Sequence, residues 1–184
     1  MIIVDTSVLL YKNLFSAIKY STDINGKSIK KIGGEYGKYK TQEFIRLWKH
    51  KMINDLRYIY KDNKNKYGNL VLAIDNHTSS NWRKDISPDY KGKRREARDK
   101  SGVNFKEFFV HVEELLSNLE SFPFIQVDVP KAEGDDVIAI LTKHYSKIED
   151  ILIVTTDRDM RQLLLYNNVT IFNPLKLQYL KLKK

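Results

Sequence analysis

Seven carboxylates fall where short apolar runs give out. Asp5 closes the run at 2–4 and Asp75 the run at 70–74. Asp157 follows 151–156, with Asp159 two residues on, and Glu133, Asp135 and Asp136 stand just beyond 124–129. In an open α/β sheet, ligand sites form outside the carboxyl ends of the strands. If these runs are parallel neighbours, all seven side chains converge on one edge. Such a cluster is not stable alone: unit charges about 4 Å apart repel by several kcal/mol at an effective dielectric of roughly 20. Either some protonate or cations lie between them. Oxygen ligands without cysteine or suitably spaced histidine fit magnesium, with manganese as the alternative. Two such ions, roughly 4 Å apart, would stabilise the attacking and leaving oxygens of a phosphodiester cleavage.

Each carboxylate also has a plainer explanation. An Asp after a strand is often the cap of the next helix, as Asp157 could be, and acidic residues in a first helical turn complement the dipole, which would account for Glu133 to Asp136. The plainer account weakens only when all the strand ends are taken together. Glu133 and Asp136, three apart, share a helix face, whereas Asp135 points elsewhere, so the three are not expected to play one role. Thr6 and Ser7 could donate to a phosphate near Asp5 or cap a helix. The four histidines have no metal-ligand spacing.

A second chemical feature is the basic stretch 79–102. Between Trp82 and Lys100 it carries eight basic and four acidic residues. Beginning just after Asp75, it emerges beside the carboxylates, where a cationic arm suits a phosphate backbone. Trp82 and Tyr90 could stack on unpaired bases, at about 1–3 kcal/mol each. A solvated, salt-laced helix is what most charge runs are; the position beside the acidic cluster favours nucleic acid.

The elements that must position these groups alternate. Continuous β-branched runs at 2–4, 70–74, 124–129, 151–155 and 169–172 read as strands buried on both faces. Helical periodicity appears at 41–60 and at 104–119, where Asn104 is the expected N-cap, with shorter helices at 132–144 and 160–165. Strand–helix alternation predicts a doubly wound, mostly parallel α/β sheet flanked by helices. Two segments stand apart: 19–40, with Asn25-Gly26 and Gly33-Gly34, is a hairpin or loop insertion, and 175–184 is an edge strand or linker. At 184 residues the chain fits one domain, and the balance of 32 basic against 23 acidic residues gives a net charge of +9, which favours a polyanionic partner. The absence of cysteine excludes disulfide scaffolds and thiolate chemistry and fits a reducing cytoplasm. No run reaches 18 apolar residues and no signal peptide opens the chain, so no membrane association is expected. No Gly-rich phosphate loop or GxSxG motif is present.

Ile74-Asp75-Asn76, Trp82-Arg83-Lys84-Asp85, Tyr90-Lys91-Gly92-Lys93-Arg94, Glu133-Gly134-Asp135-Asp136-Val137-Ile138-Ala139 and Ile151 through Asp159 occur in an order and spacing that resembles the 5′-nuclease superfamily. Its members are flap endonucleases, the 5′-nuclease domain of bacterial DNA polymerase I and phage 5′ exonucleases, and the likeness is closest to the T-even phage ribonuclease H type. The resemblance implies a PIN-like catalytic domain over 1–184 with an arch at 79–102. It also implies a magnesium-dependent phosphodiesterase, with two ions, acting at 5′ ends and junctions of DNA or RNA–DNA that carries a 5′ single-stranded flap, as in RNA primer removal. Asp5, Asp75, Glu133, Asp135, Asp136, Asp157 and Asp159 would be its metal-site positions. Lys91, Arg94, Asp135 and Asp157 would lie nearest the reacting phosphate. Trp82, Arg83, Lys84, Tyr90, Lys91, Lys93, Arg94 and Arg95 would line the nucleic-acid path. The setting implied is the cytoplasm of a bacterial or phage-infected cell. Gly134 stands where that family usually has alanine, and the helix–hairpin–helix region that follows the sheet in the family is not found before Lys184. The resemblance therefore implies a truncation or a second polypeptide that completes the protein. The rivals are a PIN-type ribonuclease, for which Val4-Asp5-Thr6-Ser7-Val8-Leu9-Leu10 is typical but the basic stretch is not, and an inactive nucleic-acid-binding part of a larger nuclease.

Overall fold

The computed structural model describes residues 1–20, 42–76, 79–91 and 105–182. The expected insertion therefore lies largely outside the described residues, as do Lys93, Arg94, Arg95 and the expected cap Asn104. β1 (Ile2–Asp5) runs straight into α1 (Thr6–Tyr20); α2 (Gln42–Tyr67) precedes β2 (Leu70–Ile74) and the short α3 (Trp82–Ile86). Then come α4 (Phe105–Leu119), β3 (Phe124–Asp128), α5 (Gly134–Tyr145), β4 (Ile151–Val154), a 3-10 helix (Asp159–Leu165), β5 (Val169–Asn173) and β6 (Gln178–Leu180).

One sheet holds the strands in the order β3-β2-β1-β4-β5-β6. The first five are parallel, and only β6 pairs antiparallel, on β5. β1, β2 and β4 are buried at every position, which is why they read as unbroken apolar runs rather than as alternating ones. Side chains nonetheless divide by the two-residue period. Ile2 and Val4 join Leu70, Leu72 and Leu152 against α1, α2 and α4; Ile3 joins Val71, Ala73, Ile151 and Ile153 against α5 and the 3-10 helix. The fully buried Trp48 anchors the first layer: its indole N–H donates to the carbonyl of Leu10 at 3.3 Å and its ring meets Phe108 edge-on. Among the described residues no helix is long and apolar enough to cross a membrane.

Several elements depart from the sequence expectation. β3 lies at the edge of the sheet with no buried position rather than covered on both faces, and the short α3 forms within the weakly periodic basic stretch. α1 was not foreseen, because its buried stripe of Leu9, Leu10, Leu14 and Ala17 includes a polar member, Asn13. Asn13 is accommodated by donating to the carbonyl of Leu9 at 3.0 Å and to Asp55 at 2.7 Å. α2 continues seven residues past the predicted end through Lys-, Asp- and Asn-rich sequence, where the first of its two buried positions is again polar: Asn63 donates to the carbonyl of Ile59, while Tyr67 joins the core.

Candidate active site

β1 and β4 are adjacent although their connections leave in opposite directions along the sheet. This is the switch point at which a crevice opens beyond the carboxyl ends of the strands. A cleft of about 1100 Å³ lies there, and Asp5, Asp75, Glu133, Asp135 and Asp157 are among its walls. Five of the seven expected carboxylates are thus brought together. Asp136 and Asp159 are not among the lining residues. Asp159 is exposed at the start of the 3-10 helix, its N–H donating to Asp157 at 2.8 Å.

Each cleft carboxylate is set by its strand and by local donors. Asp5 ends β1, is only 7% exposed, and accepts from the Thr155 hydroxyl (2.8 Å) and the Val8 N–H (3.2 Å). Burial pushes its carboxyl up to about 6, against the lowering effect of those two donors and with Asp135 and Asp75 adding repulsion. Asp75 accepts from the Ser7 hydroxyl and from the Gly134 N–H, both at 2.6 Å. That contact places Gly134 so close that a Cβ there would stand 3.2 Å from both the Ala73 carbonyl and Asp75 Oδ1. Asp135 is held above the ordinary range by burial first and then by the charges of Asp157 and Asp75, with Lys91 opposing. Asp157 takes its place from Thr155, whose hydroxyl accepts the Asp157 N–H at 3.0 Å.

Glu133 and Asp136 form the reciprocal capping box that opens α5. Glu133 receives the Lys91 ammonium (2.7 Å) on one oxygen and the Tyr90 hydroxyl (3.1 Å) on the other. Asp136 receives both terminal nitrogens of Arg83, at 2.8 and 2.7 Å, together with the Trp82 indole N–H at 3.2 Å. The guanidinium holds the Asp136 carboxyl down at about 2. Of the residues expected on the nucleic-acid path, Lys84, Tyr90 and Lys91 line the cleft, while Trp82 and Arg83 face Asp136 instead. Lys91 adopts a left-handed backbone, φ 59°.

Sequence reasoning missed Thr155, Tyr11 and Lys12. The last two line the cleft from α1, and Lys12 also pairs with Asp55 at 2.8 Å. The spacing of Leu10, Leu14 and Ala17 was the signal that could have revealed that helix. Ser7, which the sequence offers as a phosphate donor or a helix cap, donates to Asp75, and the buried Thr6 hydroxyl has no hydrogen-bond partner among the described residues.

The cleft offers oxygen ligands only, and repulsion among them disfavours full ionisation without a counter-charge, so in type the donor set fits a hard divalent cation. Among the described residues no group of three or more His, Cys, Asp or Glu side chains is arranged to hold a metal ion as it stands. Asp5, Asp75 and Glu133 are instead turned toward N–H, O–H and ammonium donors of the chain itself.

Residues 1–184 match the model of the 5′-3′ exonuclease N-terminal, resolvase-like domain. The ribonuclease H of Enterobacteria phage T4 is 34% identical over 138 residues, 73% of this chain and 45% of that protein. A 5′-3′ exonuclease of Buchnera aphidicola (subspecies Schizaphis graminum) is 28% identical over 174 residues, 94% of this chain and 51% of its own length. The chain therefore spans about half the length of the relatives it matches. Among solved structures, the bacteriophage T5 5′-exonuclease with bound zinc superposes with a TM-score of 0.67 at 16% identity, over 98% of this chain and 57% of that one. A bacteriophage T5 flap endonuclease described as a pseudo-enzyme-product complex with DNA and metal ions gives 0.61 at 17% identity, with the same coverage. At these identities the superpositions establish the shared fold.

Proposed function

The chain belongs to the 5′-3′ exonuclease family through its N-terminal, resolvase-like domain, and from that premise we propose that residues 1–184 are the catalytic domain of a divalent-metal-dependent 5′-3′ exonuclease and flap endonuclease. Its substrate is DNA or RNA–DNA with a 5′ single-stranded flap, and the product carries a 5′-phosphate. The observation that carries this reading is the convergence of Asp5, Asp75, Glu133, Asp135 and Asp157 on one cleft whose rim bears Tyr90, Lys91 and Lys84.

In this reading those five carboxylates hold magnesium, or manganese in its place, as two ions. Bound there, such cations would supply positive charge to the phosphodiester oxygens. The chain's own residues do the rest. Thr155 and Ser7 orient Asp5 and Asp75 through the hydroxyl contacts described above. Lys91 and Tyr90 present an ammonium and an aromatic ring at the cleft wall, where a phosphate and its base would lie. Arg94, together with Lys93 and Arg95, extends the cationic path in the sequence that follows. The region that grips duplex nucleic acid in a longer member of the family would be contributed by further chain or by a second polypeptide, consistent with the half-length match.

The test is cleavage of a 5′-labelled flap on DNA and on RNA–DNA. Activity should require magnesium or manganese, disappear with chelator, and disappear in Asp157→Asn. Activity that survives both chelator and substitution would reject the assignment, and a preference for single-stranded RNA over flaps would favour a PIN-type ribonuclease.

A further inference from the structure

We propose that Arg83 and Asp136 act as a positioning pair that sets the first turn of α5, rather than as a nucleic-acid contact and a cation ligand; the proposal rests on the nuclease reading of the cleft.

Both oxygens of Asp136 are engaged by the chain itself. Oδ1 accepts from Arg83 Nη2 at 2.7 Å, while Oδ2 accepts from Arg83 Nη1 at 2.8 Å, the Glu133 N–H at 3.0 Å and the Trp82 indole at 3.2 Å. Three donors thus crowd Oδ2, more than its two lone-pair sites, while Oδ1 takes one and keeps a second site open. Arg83 is equally committed. Its fork is bidentate on Asp136, and Nη1 lies 3.5 Å from Glu133. Its guanidinium also lies 4.6 Å from the centre of the Trp82 ring and 5.8 Å from that of Tyr90. Position agrees with this: Asp135 lines the cleft, whereas Asp136, one residue along the helix, does not.

The pair has something to position. Asp136 fixes the backbone of Glu133 through its N–H, and Glu133 reciprocates by accepting the backbone N–H of Asp136. The rotamer of Asp136 therefore governs how Glu133 enters the cleft and where Asp135 begins its turn. On the other side, Arg83 and Trp82 belong to α3, whose N-cap Asn81 accepts the Arg83 N–H and whose Trp82 N–H reaches the Lys131 carbonyl at 3.1 Å. Arg83–Asp136 thus joins the basic segment to the carboxylate turn, beside the Lys91–Glu133 pair.

The test compares wild type with Arg83→Met, Arg83→Lys, Asp136→Asn and the double variant Arg83→Met/Asp136→Asn. It reads magnesium affinity by calorimetry, kcat and KM on a 5′-flap DNA, and the salt dependence of flap binding in calcium. A positioning pair predicts that Arg83→Met and Asp136→Asn each weaken magnesium binding and lower kcat by roughly 10–100-fold. The double variant should lose no more than either single one, KM and the salt slope should stay unchanged, and Arg83→Lys, which keeps the charge but not the fork, should fall between. Three results overturn it. Arg83→Met could tighten magnesium binding, as freeing a true ligand would; the losses could add; or Arg83→Met could reduce the salt slope by about one, as loss of a phosphate contact would. Should Arg83→Met fail to fold, Arg83→Gln, which retains one donor, carries the same comparison. A wild-type protein that binds neither magnesium nor manganese and cuts no flap removes the nuclease reading itself, and this proposal with it, whereas any of the three results in an active wild type removes this proposal alone.

Discussion

The ammonium of Lys91 lies 2.7 Å from a carboxylate oxygen of Glu133, so the acidic cleft carries a positive charge supplied by the chain itself. It also lowers the carboxyl of Asp135 against the repulsion of its neighbours. A cation that takes Glu133 must displace this lysine. Lys91→Met is therefore expected to tighten magnesium binding by roughly fivefold, the equivalent of about 1 kcal/mol for a partly exposed pair, while cleavage of a flap substrate falls. Calorimetry beside a single-turnover assay checks both, and weaker magnesium binding in the variant would contradict the competition.

Asp157 and Asp159 differ by two positions and by location, one in the cleft and the other exposed at the start of the 3-10 helix. Asp157→Asn and Asp135→Asn should each reduce cleavage by two orders of magnitude or more, about 3 kcal/mol of transition-state stabilisation. Asp159→Asn should stay within about threefold, the order of a surface change. Equal losses at 157 and 159 in kcat would show that the lining of the cleft does not identify the working carboxylates.

Asp5 provides a pH signature. Its folded carboxyl stands at about 6, mainly from burial, against a reference of 3.8. Between those values the folded state binds more protons than the unfolded chain, so stability of the metal-free protein rises as pH falls from about 6 toward 4. The limit is about 3 kcal/mol. Asp5→Asn should raise the metal-free melting temperature at pH 7–8 and flatten that slope. Thr155→Val, which removes a donor that lowers the carboxyl, should extend the slope to higher pH. Thermal melts from pH 4 to 8 in chelator measure this, and a wild-type protein that loses stability continuously from pH 6 to 4 would contradict it.

Asp136 has the opposite sign. Its carboxyl is held near 2 by Arg83, so its contribution is complete above the unfolded value of about 4 and is lost as pH falls through about 2. Asp136→Asn should cost roughly 2 kcal/mol at pH 7, with the gap from wild type closing in acid. Urea denaturation at pH 7 and at pH 3 would reveal a constant gap if the ion pair were not its source.

The sheet was legible because β1, β2 and β4 are covered on both faces, leaving uninterrupted runs of Ile, Leu and Val. The carboxylates were legible through the same strands, since a residue directly after a parallel strand has only one edge to reach. Reading stopped where buried positions are polar. Asn13 in α1 and Asn63 in α2 interrupt the apolar stripe, yet each is satisfied by the carbonyl one turn earlier. The division of labour at the start of α5 was only half legible. Helical spacing set Asp135 apart from Glu133 and Asp136, but nothing in the spacing indicates that Arg83, more than fifty residues upstream, takes Asp136 out of the cluster.

β4 enters the sheet between β1 and β5, beside a strand laid down about 150 residues before it. Asp157 arrives with it, and so does Thr155, the hydroxyl that steadies Asp5. During synthesis the early carboxylates consequently wait without their last partner. A chain stalled before this point on the ribosome would lack the fifth wall carboxylate of the cleft, so the cluster closes late in synthesis.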